Sequence, residues 1–545
     1  LNTTGVSNSQ RTSYNATRDT ITNLLQNGST GFKRDGYQTG VSLNWDITKK
    51  DQLTAEISYH RSSNLNNGLT SQDQTINKQT GTLLSELLST RNSNSSSHNH
   101  SVDMGLEYKK TFKKEGQELS VQFISSQDTN NSDVFQQQDY LTAGKASSSA
   151  TSSTNPGKEG ELSVQVDYAH PITDEITIET GVKSGIESIN SNSVTDTLQA
   201  NGNYVVDPNQ IQGINFHRYV TAGYFSLAGS IFNGFFDGKA GLRFERTISN
   251  GANSSITIAS YNTFAPSYVL QHKFDKSQSV KFTYSFRIER PDYNEVNPFY
   301  NVSDPHNIST GNPTLRPELG HNYEIGYSKN FKKGGNIYIA AVYRYNTDDI
   351  QGFSTYYTNL VINGKSYPNT TLSQRTNIGS QTQTGINFFG SVPITGALNL
   401  RSNIQAGERS NSNPGIPTVS AFAYRVNLNA TYEFTSTLVA EVFGNYNSKQ
   451  TNIQSTRPAF GTYNIAMRKL FMNKMASIGL TAANPFNQYV NQTSTTYASN
   501  FNQTSLRQVP FRSFGITLSY KFGKLEFKKD KEDQPVQQTL PDQGN

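Results

Sequence analysis

His98 and His100, two positions apart, are the nearest approach in this chain to a metal-ligand pair. They lie in a Ser/Asn segment with no neighbouring carboxylate, and a closed metal site needs about four ligands, so a solvated pair is expected. Gly364-Lys365-Ser366 carries the last three residues of a phosphate-binding loop, but Asn359 stands where its first glycine is required. A plain turn is expected there. Asp348-Asp349 offers two adjacent carboxylates to Ca²⁺, an ion that takes about six to eight oxygens. The chain holds no His-Glu-x-x-His, Gly-x-Ser-x-Gly or Gly-x-Gly-x-x-Gly, and its 8 histidines are scattered without visible Ser or Asp partners. With no cysteine at all, disulfides and thiolate sites are also ruled out. The residues thus predict no catalytic site, no metal site and no cofactor.

The elements that carry these residues explain more than the residues do. Of 545 residues, 33% are hydrophobic, 16% charged and 11% aromatic. Length alone suggests three or four domains of roughly 150 residues. A soluble protein of that size buries proportionally more surface and needs more apolar residues, not fewer. Disordered chains rarely hold so many aromatics. A net charge of +5 is too weak to imply nucleic acid. No stretch approaches the run of about 18 apolar residues that a transmembrane helix needs. Leu1 is not followed by a basic and then an apolar region, so the expected start is a processed N-terminus or a point within a longer protein.

One pattern repeats from end to end. Phe514, Ile516, Leu518, Tyr520 and Phe522 alternate with small or polar residues, and so do Val280, Phe282, Tyr284, Phe286 and Ile288. The same holds for Leu162–Tyr168, Val426–Phe434 and Ile337–Tyr345. Period two gives each strand one apolar and one polar face. Each run is about nine to eleven residues, the length with which a tilted strand crosses a bilayer. Short connections are predicted near Asp46–Lys50, Lys113–Glu115, Pro171–Thr173, Ser230–Asn233, Asp275–Ser277, Lys332–Gly334, Pro393–Gly396, Thr435–Ser436 and Phe471–Asn473. Between them lie long polar segments, such as Arg61–His100, Ser126–Glu159, Arg290–Pro317 and Asn484–Pro510, read here as loops. Short turns on one side and long loops on the other distinguish an outer-membrane barrel from a soluble sandwich. Tyr323/Tyr327, Tyr343/Tyr345 and Phe511/Phe514 suit the aromatic girdles of such a barrel. The fold class is therefore all-β, a transmembrane antiparallel β-barrel over 1–523 with about 20 strands. Lys524–Asn545 is expected to be a charged, disordered periplasmic tail.

At Arg290 the sequence becomes family-specific. Arg290-Pro291-Asp292-Tyr293-Asn294-Glu295-Val296-Asn297-Pro298-Phe299, then Gly311-Asn312-Pro313-Thr314-Leu315-Arg316-Pro317-Glu318, closely resembles the outer-membrane β-barrel family related to TonB-dependent receptors. Ala466–Phe471 leading to Asn484-Pro485-Phe486-Asn487, and the closing strand Phe514–Phe522, add to the resemblance; many relatives have Asp at the position of Asn484. The resemblance implies a complete barrel of about 22 strands, the missing ones preceding Leu1, with a plug in the lumen. It implies a Gram-negative outer-membrane location and import of a nutrient. Neither a plug nor a TonB-binding segment is recognisable, so TonB is an expected partner only if a plug exists upstream. The alternative is a plug-less barrel acting as scaffold or accessory subunit of an assembly or secretion complex.

The prolines and Gly311 of the motif act on the backbone, so Arg290, Pro291, Asn297, Pro298, Gly311, Asn312, Pro313, Pro317 and Glu318 are expected to shape the outer rim and loop. Lys281, Arg287, Glu289, Glu324, Arg344 and Glu433 should face the lumen and make it wettable. Phe299, Tyr300, Tyr356 and Tyr357, set among amides and hydroxyls, are the loop candidates for gripping a ligand or partner. Expected partners are outer-membrane lipid, lipopolysaccharide (for which Asp348-Asp349 could bridge through a cation), and a surface lipoprotein or other subunits.

Overall fold

Alternating apolar and polar residues make two-faced strands, and two-faced strands pair until one face is sealed against lipid. The computed structural model describes residues 2–521, apart from 16–17, 143–144, 252–259, 303 and 333. Phe522 and the tail Lys524–Asn545 lie outside the described residues. Twenty antiparallel strands form one sheet in chain order, from Asn2–Asn15 and Thr20–Asp46 to Ala476–Ala483 and Ser513–Tyr520. This agrees with the count read from the alternation.

Every predicted short connection joins two neighbouring strands at the same end of the sheet. The turn residues follow local chemistry. Asp275 accepts a hydrogen bond from the Ser277 backbone N–H at 2.6 Å, an Asx-type closure. Phe232 and Asn233, and likewise Met472 and Asn473, take left-handed backbone in two other turns.

The outer end closes through the hairpin Tyr489–Ala498/Phe501–Pro510, whose second strand pairs with Asn2–Asn15. At the turn end, Ser513–Tyr520 pairs only with Ala476–Ala483, and residues 34–46 only with the strand Asp51–Lys78, among the described residues. Bare strand edges are costly in lipid.

The register fixes an outward apolar belt. Val41, Ile57 and Met104 sit directly across from one another, as do Leu106, Phe123 and Val164. Val41 is 70% exposed, which is tolerable only where the solvent is lipid. Tyr268, Tyr284, Tyr323 and Tyr343 form an aromatic row across four strands, with ring centroids 5.7, 4.8 and 6.1 Å apart in succession.

One expectation is overturned. The polar segments 61–100, 126–159 and most of 484–510 are not loops but paired strands: Asp51–Lys78 runs against Leu83–Thr111, Glu118–Thr142 against Lys145–Pro171, and Tyr489–Ala498 against Phe501–Pro510. Leu83–Thr111 has 29 residues, about 95 Å at ~3.3 Å per residue, against a lipid-facing band about 25 Å tall. Above that band both faces of the wall meet water, so the sequence loses its apolar alternation while the backbone keeps pairing. Polar side chains pair across the strands instead, as Asn66 Nδ2 does to Ser95 Oγ (3.2 Å) and Gln138 Nε2 to Gln72 Oε1 (2.8 Å). His98 and His100 consequently stand on a strand, where the Tyr59 hydroxyl bonds His100 Nδ1 at 2.8 Å.

Candidate functional site

The stretch from Arg290 to Glu318 builds inward from the wall. Arg290 pairs with Glu245, which also takes Arg243 at 2.9 Å. Arg218, held by Glu187 at 2.6 Å, donates to the Pro291 carbonyl at 2.8 Å. From that foothold Asp292 caps a single helical turn, Tyr293–Val296, through a reciprocal capping box with Glu295. Asn297 ends the turn. Gly311 then passes so close that a Cβ would lie 2.3 Å from the Asn297 carbonyl oxygen; its N–H bonds that oxygen at 2.8 Å. Only glycine fits here. Asn312 donates its backbone N–H to Glu295 O (2.6 Å) and its side-chain amide to Arg375 O (3.1 Å), while Arg375 pairs with Glu295 at 3.2 Å. Arg316 pairs with Asp348, and Glu318 accepts the Ile350 N–H at 2.5 Å.

The motif thereby delivers the chain into a second, small sheet. Asn307–Ser309 pairs in parallel with Lys365–Asn377, which forms a hairpin with Ile350–Ile362. The hairpin turns at Asn363-Gly364, both left-handed (φ 49° and 81°), as a tight two-residue hairpin requires. Gly364-Lys365-Ser366 is thus a turn. Ile308, Ile362 and Tyr367 form a small apolar core, with Tyr300 and Leu372 packed against it.

This unit is a cap tied to the inner face of the wall. Arg11, on the first strand and 1% exposed, donates to His306 O (2.6 Å), Thr371 Oγ1 (3.1 Å) and Asn369 O (2.7 Å). Asp304 pairs with Arg91 of the strand Leu83–Thr111 at 2.7 Å and receives the Asn307 amide at 3.0 Å. Gln454 exchanges two 2.7 Å hydrogen bonds with the Ser354 backbone. Gln351 reaches Asn411 on the strand Leu398–Asn413 at 2.8 Å. The ties come from strands far apart around the sheet, so the cap spans the outer lumen instead of lining one side.

Electrostatics follow the burial. Burial opposes the Asp304 charge, yet the Arg91 guanidinium and the Asn307 amide hold its carboxyl below the ordinary range. Burial pushes the His306 imidazole down to about 4, with Arg11 adding to the shift and Asp304 opposing it. Burial raises Asp349; Gln351 donates to its carboxylate and Gln381 does so at 3.3 Å. With Asp349 buried among amides and Asp348 on Arg316, this pair is not presented as an open calcium or lipopolysaccharide site.

The outer membrane protein beta-barrel family model matches residues 110–520. The chain belongs to that family. No curated protein matches it in sequence. Among solved structures, FpvA of P. aeruginosa bound to heterologous pyoverdines aligns over 92% of this chain and 71% of its own, with a TM-score of 0.51 and 11% identity. The FpvAI–pyocin S2 complex aligns over 92% and 73%, with a TM-score of 0.52 and 11% identity. The siderophore receptor PirA from Pseudomonas aeruginosa aligns over 93% and 80%, with a TM-score of 0.48 and 12% identity. At such identities the likeness concerns fold alone. As a family member the protein resides in the Gram-negative outer membrane, and it shares its fold with these solved structures.

Within this family barrel the predicted residues separate clearly. Opposed pairs Glu289–Glu318, Arg287–Gly320 and Asn322–Arg344 put Lys281, Arg287, Glu289, Glu324 and Arg344 on the sheet face opposite the tyrosine row, and Glu433 shares the inward face of its strand with Arg425. Phe299 is half-buried beside the Asn297–Pro298 bend. Tyr300 packs on the cap core. Tyr356 is buried beneath Arg11, with its hydroxyl donating to Asn369 Oδ1 at 3.0 Å, whereas its neighbour Tyr357 is exposed. Arg11, Arg91, Asp304 and His306 were not legible as a site. Each is a single charged or ionisable residue in polar surroundings, and the only hint was Asp304-Pro305-His306 lying between the two halves of the motif.

Proposed function

We propose that this barrel imports a nutrient across the outer membrane and that the cap is its outer gate. The observation that carries the reading is the cap's attachment to the inner wall at Arg11, Arg91 and Asn411. A folded unit tied across the lumen obstructs free diffusion. A selective importer needs one, because the gate must open for the right solute alone. The likeness of fold to FpvA, a protein solved with bound pyoverdines, supports this class of function, with the solute left open. Exposed Tyr357 and half-buried Phe299 are the aromatic surfaces proposed to meet the ligand first, and the mixed charges of Lys281, Arg287, Glu289, Glu324, Arg344 and Glu433 are proposed to line its path. Energised import further requires a segment that engages TonB, so the experiment uses the full-length protein. Uptake by intact cells should collapse when the inner-membrane proton gradient is discharged. Uptake that persists undiminished excludes energised import.

A scaffold role is the second reading, and one observation favours it. Leu25, Leu88 and Leu141, 44%, 42% and 50% exposed, lie on the outer surface of the wall well above the lipid belt, where apolar patches mark contact with other proteins. Migration of the protein alone after gentle solubilisation of native membranes would count against this reading.

A further inference from the structure

Just above the apolar belt, the outward face of the wall carries three cationic or ionisable side chains side by side in one sector. Ascending the strand Leu83–Thr111, the outward residues are Tyr108, Leu106, Met104 and Val102, and then His100. On the strand Asp51–Lys78 they are Leu53, Ala55, Ile57 and Tyr59, and then Arg61. On Lys145–Pro171 they are Val166, Val164, Leu162 and Gly160, and then Lys158. The register sets these three on one level, as Arg61 opposes His100, His100 opposes Thr129, and Thr129 opposes Lys158. At ~4.8 Å between strands the row is about 14 Å wide. His98 and Lys33 continue it outward on the same face, with Asp35 and Asp133 the acidic side chains beside them.

Arg61 and Lys158 are exposed and have no ion-pair partner among the described residues. The Tyr59 hydroxyl at 2.8 Å from Nδ1 fixes the His100 ring, leaving Nε2 as the ring's other polar atom. A membrane at this level presents headgroups, so the missing anion is to be sought in lipid.

We infer that Arg61, His100 and Lys158 form a binding row for the phosphate groups of a lipopolysaccharide headgroup in the outer leaflet. The guanidinium can clasp two phosphate oxygens, and the ammonium and imidazole can donate to a neighbouring group. The sugar body of the headgroup would lie against Tyr37 and Tyr59, whose rings are 5.9 Å apart. The inference rests on the outer-membrane location and is independent of whether the barrel imports anything.

The test places the full-length protein in nanodiscs and counts retained lipid by native mass spectrometry. The protein is first exposed to phosphatidylethanolamine vesicles carrying lipopolysaccharide, or the same lipopolysaccharide stripped of its phosphates. Retention should favour the phosphorylated form, weaken with salt, and fall by about tenfold or more in the triple variant R61Q/H100Q/K158Q. R246Q, which changes an outward cation on the separate strand Phe236–Gly251, should retain lipid as the parent does. R61K/K158R preserves charge and should retain most binding, which separates loss of charge from a damaged wall. Equal retention of the dephosphorylated lipid overturns the inference. So does equal loss in R246Q, or release by inorganic phosphate as effective as release by free lipopolysaccharide.

Discussion

Arg11 and His306 are 295 positions apart in the chain, yet the Arg11 guanidinium donates to the His306 carbonyl at 2.6 Å. This contact links the first described strand of the wall to a segment that the Arg290–Glu318 motif turns inward. It makes the outer lumen a closed arrangement held by a few polar groups, and those groups are where the cap can be loosened.

Replacing Arg11 with Met keeps much of the side-chain length and removes every donor. The Asn369 carbonyl would lose the Arg11 donor, whereas the His306 carbonyl keeps the Thr371 N–H at 3.0 Å and the Thr371 hydroxyl at 3.1 Å; a buried group left unpaired costs about 1–3 kcal/mol. Arg11→Met should therefore destabilise cap closure by roughly 1–3 kcal/mol, speeding amide exchange in residues 350–377 by roughly 5- to 160-fold. Strands facing lipid should keep their protection. Unchanged exchange in the hairpin would mean that the cap is held elsewhere.

Cap closure should depend on pH through His306. Its imidazole is held near pH 4 when buried and returns to the ordinary 6.5 when the cap opens. Between those values the open form binds a proton that the closed form does not, so closure weakens as pH falls from about 6.5 towards 4 and is insensitive above that window. At ~1.4 kcal/mol per unit the full effect is roughly 3 kcal/mol. Asp304, held below the ordinary range, keeps its charge through the window. Hydrogen exchange at pH 7.5 and 5 should reveal the loosening, and His306→Gln should flatten it. An equal slope in that variant would rule His306 out.

Gly311→Ala should disrupt the motif out of proportion to one methyl. The added Cβ meets the Asn297 carbonyl oxygen at 2.3 Å and the Asn294 carbonyl oxygen at 2.8 Å, both backbone atoms that cannot swing aside. A loss of about 1–3 kcal/mol is expected, read as faster exchange over residues 293–312. Gly105→Ala, with open space around its Cβ position, is the matched control.

Glu245→Gln should unseat the motif at its foot. Glu245 is buried and faces both Arg243 and Arg290. Neutralising it removes the carboxylate charge that both guanidiniums share, a change worth about 2–4 kcal/mol where the groups are partly buried. Thermal unfolding in detergent should fall, and residues 290–297 should gain proteolytic sensitivity. Full retention of both properties would show that the Arg218–Pro291 contact suffices.

What was legible in the sequence was whatever repeats within a few residues. Period-two alternation at Val280–Ile288 or Val426–Phe434 states which side of a strand meets lipid, and Asp275-Lys276-Ser277 states a turn, with no reference to the rest of the chain. The twenty strands, their short turns and the girdle tyrosines follow from such local signals. The same reading failed at Arg61–His100, because a wall wetted on both faces has no apolar period to display. There only cross-strand pairing, such as Asn66 with Ser95, made the segment a strand. The cap's attachment was equally out of reach. Arg11, Arg91, Asp304 and His306 look like ordinary polar residues until the closing sheet brings them together, since no local pattern encodes a contact hundreds of residues away. The sequence determined that this protein is a barrel facing lipid; the tertiary structure alone decided that its outer mouth is capped and which side chains hold it shut.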